Sequence, residues 1–159
     1  MKKQIRQFLL RQSTLTLGTV SQAGAPAAAD LYFAADHVLN LFFVSEPGSR
    51  HAQNIAANAE VAATVHAPAW DWRDIKGVQL EGRCEALTGK AERVSALARY
   101  SRKFGFVSSL SAAKGATFLA RHNVYRIVPH WIRWLDNRVA FAYRDEWVLE
   151  AGEWQRGIE

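Results

Sequence analysis

The sequence predicts a mainly β chain whose antiparallel strands close, or nearly close, into a barrel carrying peripheral helices. Short β-rich runs follow one another with turn chemistry between them, only a few amphipathic helical stretches intervene, and no strand–helix–strand rhythm signals parallel crossovers.

Ile5, Phe8 and Leu9 recur at helical spacing among charged residues, which predicts a first helix ending before Ser13. Thr14–Val20, 27–34 and 38–44 are β-rich and are separated by turn residues at 24–26 and 35–37, so they read as a three-strand meander. Ser49 can cap a helix over Arg50–Ala57 that Asn58 terminates. Residues 61–67 resume the sheet, and a loop over 68–76 leads into 78–87, the cleanest alternation in the chain. There Val78, Leu80, Gly82, Cys84 and Ala86 share one face, while Gln79, Glu81, Arg83 and Glu85 share the other, which makes Cys84 a core residue. A longer helix starts near Lys90, with Val94, Leu97, Ala98 and Phe104 as its apolar markers, and a second helical stretch is expected over 111–119. Runs at 124–128, 131–135, 139–143 and 147–149 are the remaining strand candidates.

The chain has 159 residues, enough for one domain around a single core, and no repeat or Pro/Ser-rich linker divides it. Hydrophobic residues at 49% and charged residues at 22% exclude a disordered or collagen-like chain. The first residues never reach the apolar stretch of a signal peptide, and no run approaches the ~20 residues that cross a bilayer. With one cysteine, which can form no internal disulfide, these features lead to the expectation of a soluble cytoplasmic protein without membrane contact. The net charge of +5 is spread in ones and twos, its denser groups (Lys2, Lys3 and Arg6; Arg99, Arg102 and Lys103) falling on predicted amphipathic helices. Solvated helix faces account for them without nucleic acid, and an anionic small ligand fits equally well. His37, His51, His66, His122 and His130 lack metal-ligand spacing, and hydrolase and nucleotide-triphosphatase loops are missing from the sequence, so no metal is expected. Six tryptophans suit core or interface packing, with Trp70 and Trp72 the better ligand candidates.

The chemistry concentrates in Val44-Ser45-Glu46-Pro47-Gly48-Ser49-Arg50-His51. A helix N-terminus favours acidic side chains, yet Arg50 and His51 occupy its first two positions. An anion bound there would reverse the cost, accepting bonds from backbone N–H groups, the Ser49 hydroxyl and the Arg50 guanidinium. The local alternative is a capped helix whose Arg50 points to water or pairs with Glu46.

Residues 42–67 (FFVSEPGSRHAQNIAANAEVAATVHA) resemble the FMN-binding segment of the pyridoxamine 5'-phosphate oxidase-like split-barrel proteins. The family order is an apolar strand, a Gly-Ser-Arg-Lys-Ala step, a short helix ending in an Asn-Asn-like pair, and a strand closed by an aromatic. Its counterparts here are 39–44, 48–52, 54–58, 61–65, and Trp70 or Trp72. A looser likeness spans 14–87, and Trp134-Leu135-Asp136-Asn137 looks like the closing strands of a small bacterial branch.

The resemblance implies a six-stranded antiparallel split β-barrel, homodimeric, with FMN at the subunit interface. It places Arg50 and His51 on the FMN phosphate, with Ser49 opening the helix and Val44 and Ser45 approaching from the strand end. His51 stands where the family has lysine. The strand holding Leu31, Tyr32 and Phe33 would lay backbone groups along the isoalloxazine edge. Where the oxidase has a glutamine reaching from the next subunit, this chain has Gly77, with Lys76 beside it and Gln79 two residues on. The oxidase's C-terminal substrate pattern is not reproduced; Asp136-Asn137-Arg138 is a faint echo. The resemblance therefore implies a flavin-dependent oxidoreductase acting on some small molecule other than pyridoxamine phosphate, with a non-catalytic binding module for flavin, heme or deazaflavin as the alternative.

Overall fold

The structure is a computed structural model that describes residues 2–105, 117–118 and 121–157. The helix expected over 111–119 lies outside the described residues except at Thr117 and Phe118. Helix α1 (Lys2–Arg11) precedes strands β1 (Thr14–Val20), β2 (Pro26–Tyr32), β3 (Ala34–Ala35) and β4 (Leu41–Ser45). Helix α2 (Arg50–Ala57) follows, then β5 (Glu60–His66), a 3₁₀ turn at Trp72–Asp74, β6 (Lys76–Ala86) and α3 (Lys90–Lys103). The long β7 (Asn123–Asp136), β8 (Arg144–Glu150) and β9 (Glu153–Arg156) complete the order.

All pairings are antiparallel, in the order β2-β1-β5-β6-β7-β4-β3, with β8 and β9 branching from the C-terminal half of β7. The sheet holds nine strands, and its end strands β2 and β3 are not laddered to each other. The mainly β, antiparallel architecture is as expected, and the ladder of the described strands stays open. Phe33 joins those two end strands and is wholly buried, its N–H bonded to Ser13 O at 3.1 Å, so chain continuity turns the corner that hydrogen bonds would otherwise close. The core enclosed by the sheet includes Leu15, Leu17, Leu41, Phe43, Val65, Leu80 and Ile127, with α1 contributing Ile5, Phe8 and Leu9.

Four expectations need correction. The first three predicted strands do not form a meander, because β2 is an end strand beside β1 whereas β4 lies at the other end of the ladder between β3 and β7. The strand predicted over 38–44 begins only at Leu41, because Asp36 organises the preceding turn. Its carboxylate accepts from the N–H groups of Val38 (3.0 Å) and Asn40 (2.9 Å) and from Asn40 Nδ2 (3.0 Å), and Leu39 is held at φ 75°. The strands predicted at 124–128 and 131–135 are one strand. Pro129 has no N–H to donate, and the ladder absorbs it with a bulge: Glu81 pairs with Trp131 but Gly82 with Pro129, leaving His130 over. The strand predicted at 139–143 is a pair of turns, with Val139 N–H bonded to Asp136 O and Tyr143 N–H to Ala140 O, both at 3.0 Å. Val139 and Phe141 are exposed, so an apolar run was overruled by Asp136-Asn137 turn chemistry. In β6 the predicted alternation holds from Val78 to Cys84, while Ala86 is exposed. Burial raises the Cys84 thiol to about 12, with Glu85 adding to the shift, so it is unreactive packing.

Candidate functional site

Strand β4 delivers Ser45 to the sheet end, a tight turn follows, and Ser49 caps α2 in an extended conformation. The Ser49 hydroxyl accepts from Ala52 N at 3.3 Å, and the first intrahelical bond runs from Gln53 N to Ser49 O at 3.0 Å. The N–H groups of Arg50 and His51 precede that bond and have no intrahelical acceptor. Asn54 locks the helix down: it is buried, and its Nδ2 donates to Thr19 Oγ1 on β1 at 2.9 Å. A polar side chain between the apolar Ala52 and Ile55 was the sequence signal for this anchor. Asn58 ends the helix, its N–H bonded to Asn54 O at 2.7 Å.

Three side chains converge in front of α2. His51 Nε2 lies 2.6 Å from Ser45 Oγ and 3.1 Å from Ser49 Oγ, and the two hydroxyls are 3.2 Å apart. The imidazole is half-buried with its edge to Phe43, and burial lowers its pKa from the ordinary value, which favours the neutral ring. Arg50 is exposed and, among the described residues, donates only a long bond, 3.5 Å, to Pro26 O. Among the described residues it forms no ion pair; Glu46 lies instead 3.9 Å from His122 Nε2. The first turn of α2 contains no acidic residue. Hydroxyls, an imidazole, a guanidinium and two free N–H groups thus gather at the positive end of a helix dipole, a donor set matched to a phosphate.

The remaining predicted residues fall in two groups. Val44 packs on the cluster of Ala34, Tyr100 and Phe104, and the exposed Tyr32 meets the edge of Phe104 with ring centres 5.2 Å apart. Leu31 packs on the main core and the Phe33 side chain is wholly buried, so what this segment can offer a ligand is Tyr32 and backbone. As the end strand of the ladder, β2 carries an outer row of backbone groups that no neighbouring strand uses.

Lys76 and Gln79 are elsewhere in the same chain. Ser45 pairs with Asn123 at the start of β7, and Lys76 pairs with Asp136 at its end, so roughly 40 Å of strand, shortened somewhat by the bulge, separates them. The Lys76 ammonium lies 3.4 Å from the buried Asp136, which Arg138 also clamps at 2.9 Å; these partners, Arg138 foremost, hold the Asp136 carboxyl below its usual range. Gln79 Oε1 accepts from Arg133 at 3.3 Å, and both line a cavity of about 480 Å³ on the sheet's outer face, beside Gly18, Ala28 and Ala62. Gly77 is confined, since a Cβ there would meet Val65 O at 2.8 Å. Trp70 is fully exposed, and Trp72 is partly exposed with its ring edge-on to Phe141.

The family model for pyridoxamine 5'-phosphate oxidase matches residues 1–135. The chain belongs to the pyridoxamine 5'-phosphate oxidase family. A UPF0306 protein of Yersinia pseudotuberculosis serotype O:3 (strain YPIII) is 34% identical over 109 residues, 69% of this chain and 73% of that one. Among solved structures, HutZ, the heme storage protein from Vibrio cholerae, superposes with a TM-score of 0.67 at 21% identity, covering 80% of this chain and 88% of HutZ. A heme binding protein from Mycobacterium smegmatis superposes with a TM-score of 0.73 at 15% identity, covering 93% and 58%. These likenesses establish the fold. No helix among the described residues is long and apolar enough to cross a membrane.

Proposed function

We propose that this chain binds FMN, with the phosphate seated at the N-terminus of α2, and that it works as a homodimeric, cytoplasmic flavin-dependent oxidoreductase on a small molecule. The observation that carries the reading is the Ser45–Ser49–His51 cluster beside an Arg50 that has no carboxylate partner among the described residues. Bound flavin would supply hydride or electron transfer, and the protein supplies position and charge. Ser49, the Arg50 guanidinium and the N–H groups of Arg50 and His51 would hold phosphate oxygens. A dianion beside His51 favours its protonated form, turning Nε2 into a donor. Val44 and the β2 edge, with Tyr32 at its end, would face the ring system. Lys76 and Gln79, remote from Ser49 in one chain, would serve the site of a partner subunit across a twofold axis.

A second reading is a module that holds its cofactor without turnover. It is favoured by the likeness to a heme storage and a heme binding protein, since the same cationic turn could meet heme carboxylates; deazaflavin is a further candidate. The visible absorption spectrum of freshly purified protein separates flavin from heme. Reduction of bound flavin by a nicotinamide nucleotide at a catalytic rate supports the oxidoreductase; yellow but inert protein supports the module. Protein that takes up no FMN would defeat the flavin reading.

A further inference from the structure

Helices α1 and α3 meet over the corner that follows β3, around a cavity of about 300 Å³. Four cations stand at its wall: Arg6 from α1, and Arg99, Arg102 and Lys103, which share one face of α3. Surface cations normally find carboxylates, but among the described residues these do not. Asp36, the carboxylate on the wall, is turned into its own loop and accepts three bonds from Val38 and Asn40. Among the described residues Arg6 and Arg99 make no hydrogen bond or ion pair. Arg102 Nε donates back to Ala98 O of its own helix at 3.3 Å. The half-buried Lys103 ammonium donates to Leu9 O at 3.2 Å and lies 4.0 Å from the centre of the Phe33 ring. Burial pushes it down to about 8, as expected of a cation desolvated without a counter-charge. No Asp or Glu occurs in the sequence between Glu92 and Asp136, and Glu92, on the wall of a neighbouring cavity, is paired with Arg126 at 3.1 Å.

A second cavity of about 300 Å³ adjoins the first. It shares Asp36 and Arg99 and continues along α3 between Phe42, Leu87, Ala91 and Ala96. A polycationic end thus opens onto one where those apolar residues stand beside Asn40, Ser95 and the Glu92–Arg126 ion pair. The first cavity and the Asp36–Asn40 end of the second lie at the start of β4, and the second extends to Leu87, whereas the Ser45–Ser49–His51 cluster lies at the far end of that strand.

We infer that these joined cavities form a second ligand site, one for a phosphorylated small organic molecule. Its phosphate would sit among Arg6, Arg99, Arg102 and Lys103, and its organic body would lie along Phe42 and Leu87. Four cations supplied by two helices suit a multiply charged phosphate better than a single carboxylate, and a concave site suits a small molecule better than a duplex or a lipid surface.

The test is calorimetric titration with phenyl phosphate and inorganic phosphate on the full chain carrying Arg50→Gln, which removes the α2 guanidinium from the competition. Phenyl phosphate should bind, and more tightly than inorganic phosphate. Adding Arg6→Gln and Arg99→Gln should weaken it at least about tenfold, the loss expected for charge-assisted bonds. In the otherwise wild-type chain those two substitutions should leave FMN binding unchanged, so the two sites fail separately. Because neither arginine is partnered among the described residues, the variants should keep their melting temperature, which reports that they remain folded. Phenyl phosphate affinity indifferent to Arg6 and Arg99, or abolished by Arg50→Gln alone, would overturn the site. Equal affinity for phenyl and inorganic phosphate would overturn the role of the second cavity. Arginine-dependent binding of phosphatidylglycerol vesicles or duplex DNA without phenyl phosphate uptake would assign the cations to a surface instead.

Discussion

Replacing Arg50 by alanine should separate cofactor affinity from stability. The guanidinium is exposed and contributes one bond of 3.5 Å to Pro26 O, so little native structure is lost with it. A cation in the first turn of a helix also opposes the dipole, by about 0.3–1 kcal/mol, and alanine is the better helix former. Unfolding free energy should therefore change by less than about 0.5 kcal/mol, in either direction. If Arg50 donates to the FMN phosphate, the variant loses a charge-assisted bond worth about 1.5–3 kcal/mol, a roughly 10- to 150-fold rise in Kd. Riboflavin carries the same ring without the phosphate and isolates the effect. Flavin fluorescence quenching, followed for both ligands in both proteins alongside thermal melts, should show FMN weakened, riboflavin unchanged and Tm unmoved. Equal weakening of FMN and riboflavin would refute the phosphate assignment, and a large fall in Tm would refute the claim that Arg50 is structurally idle.

Ser49→Ala should behave differently, because Ser49 caps α2 through Ala52 N: it should lower stability by about 1 kcal/mol in denaturant titration as well as weakening FMN. Burial lowers the His51 pKa in the folded protein, so the unfolded chain binds that proton more readily. The associated stability is present above the ordinary pKa of about 6.5 and is lost as pH falls from there through the lowered pKa of the folded state, a trend that equilibrium unfolding between pH 5 and 8 should show and His51→Gln should flatten. FMN binding should carry the opposite preference, with proton uptake near neutral pH, measurable as a dependence of calorimetric enthalpy on buffer ionisation. Affinity should fall as pH rises, and His51→Lys should remove that fall. Gly82→Ala would drive a Cβ into Val128 O at the bulge, so it should cost more than about 1 kcal/mol in unfolding free energy, whereas alanine at the open Gly48 should cost little.

Much of this arrangement is legible in the sequence where a local rule and the tertiary context agree. Thr14–Val20, Arg50–Ala57 and the alternation of β6 follow from period, cap and burial alone. The misreadings sit where one local signal outbid another. Residues 139–143 look like a strand by composition, but Asp136 accepts from Arg138 N at 3.3 Å and from its guanidinium, and commits the segment to turns. Pro129 looks like a strand breaker, yet a bulge opposite Gly82 carries β7 through it. At the site, Ser49, Arg50 and His51 are found by their place at a helix start. The 2.6 Å contact of His51 with Ser45 is not, because it depends on the angle at which β4 meets α2. Lys76 and Gln79 share a linear motif region with the phosphate turn, and only the length of β7 reveals that one chain cannot bring them together.

A crystal structure of the FMN-loaded protein tests the central claim most directly. The account predicts phosphate oxygens within hydrogen-bond distance of Ser49 Oγ, the Arg50 guanidinium and the first N–H groups of α2, with His51 Nε2 turned toward them. A phosphate held anywhere else, with the Ser45, Ser49 and His51 side chains still bonded only to one another, would contradict it.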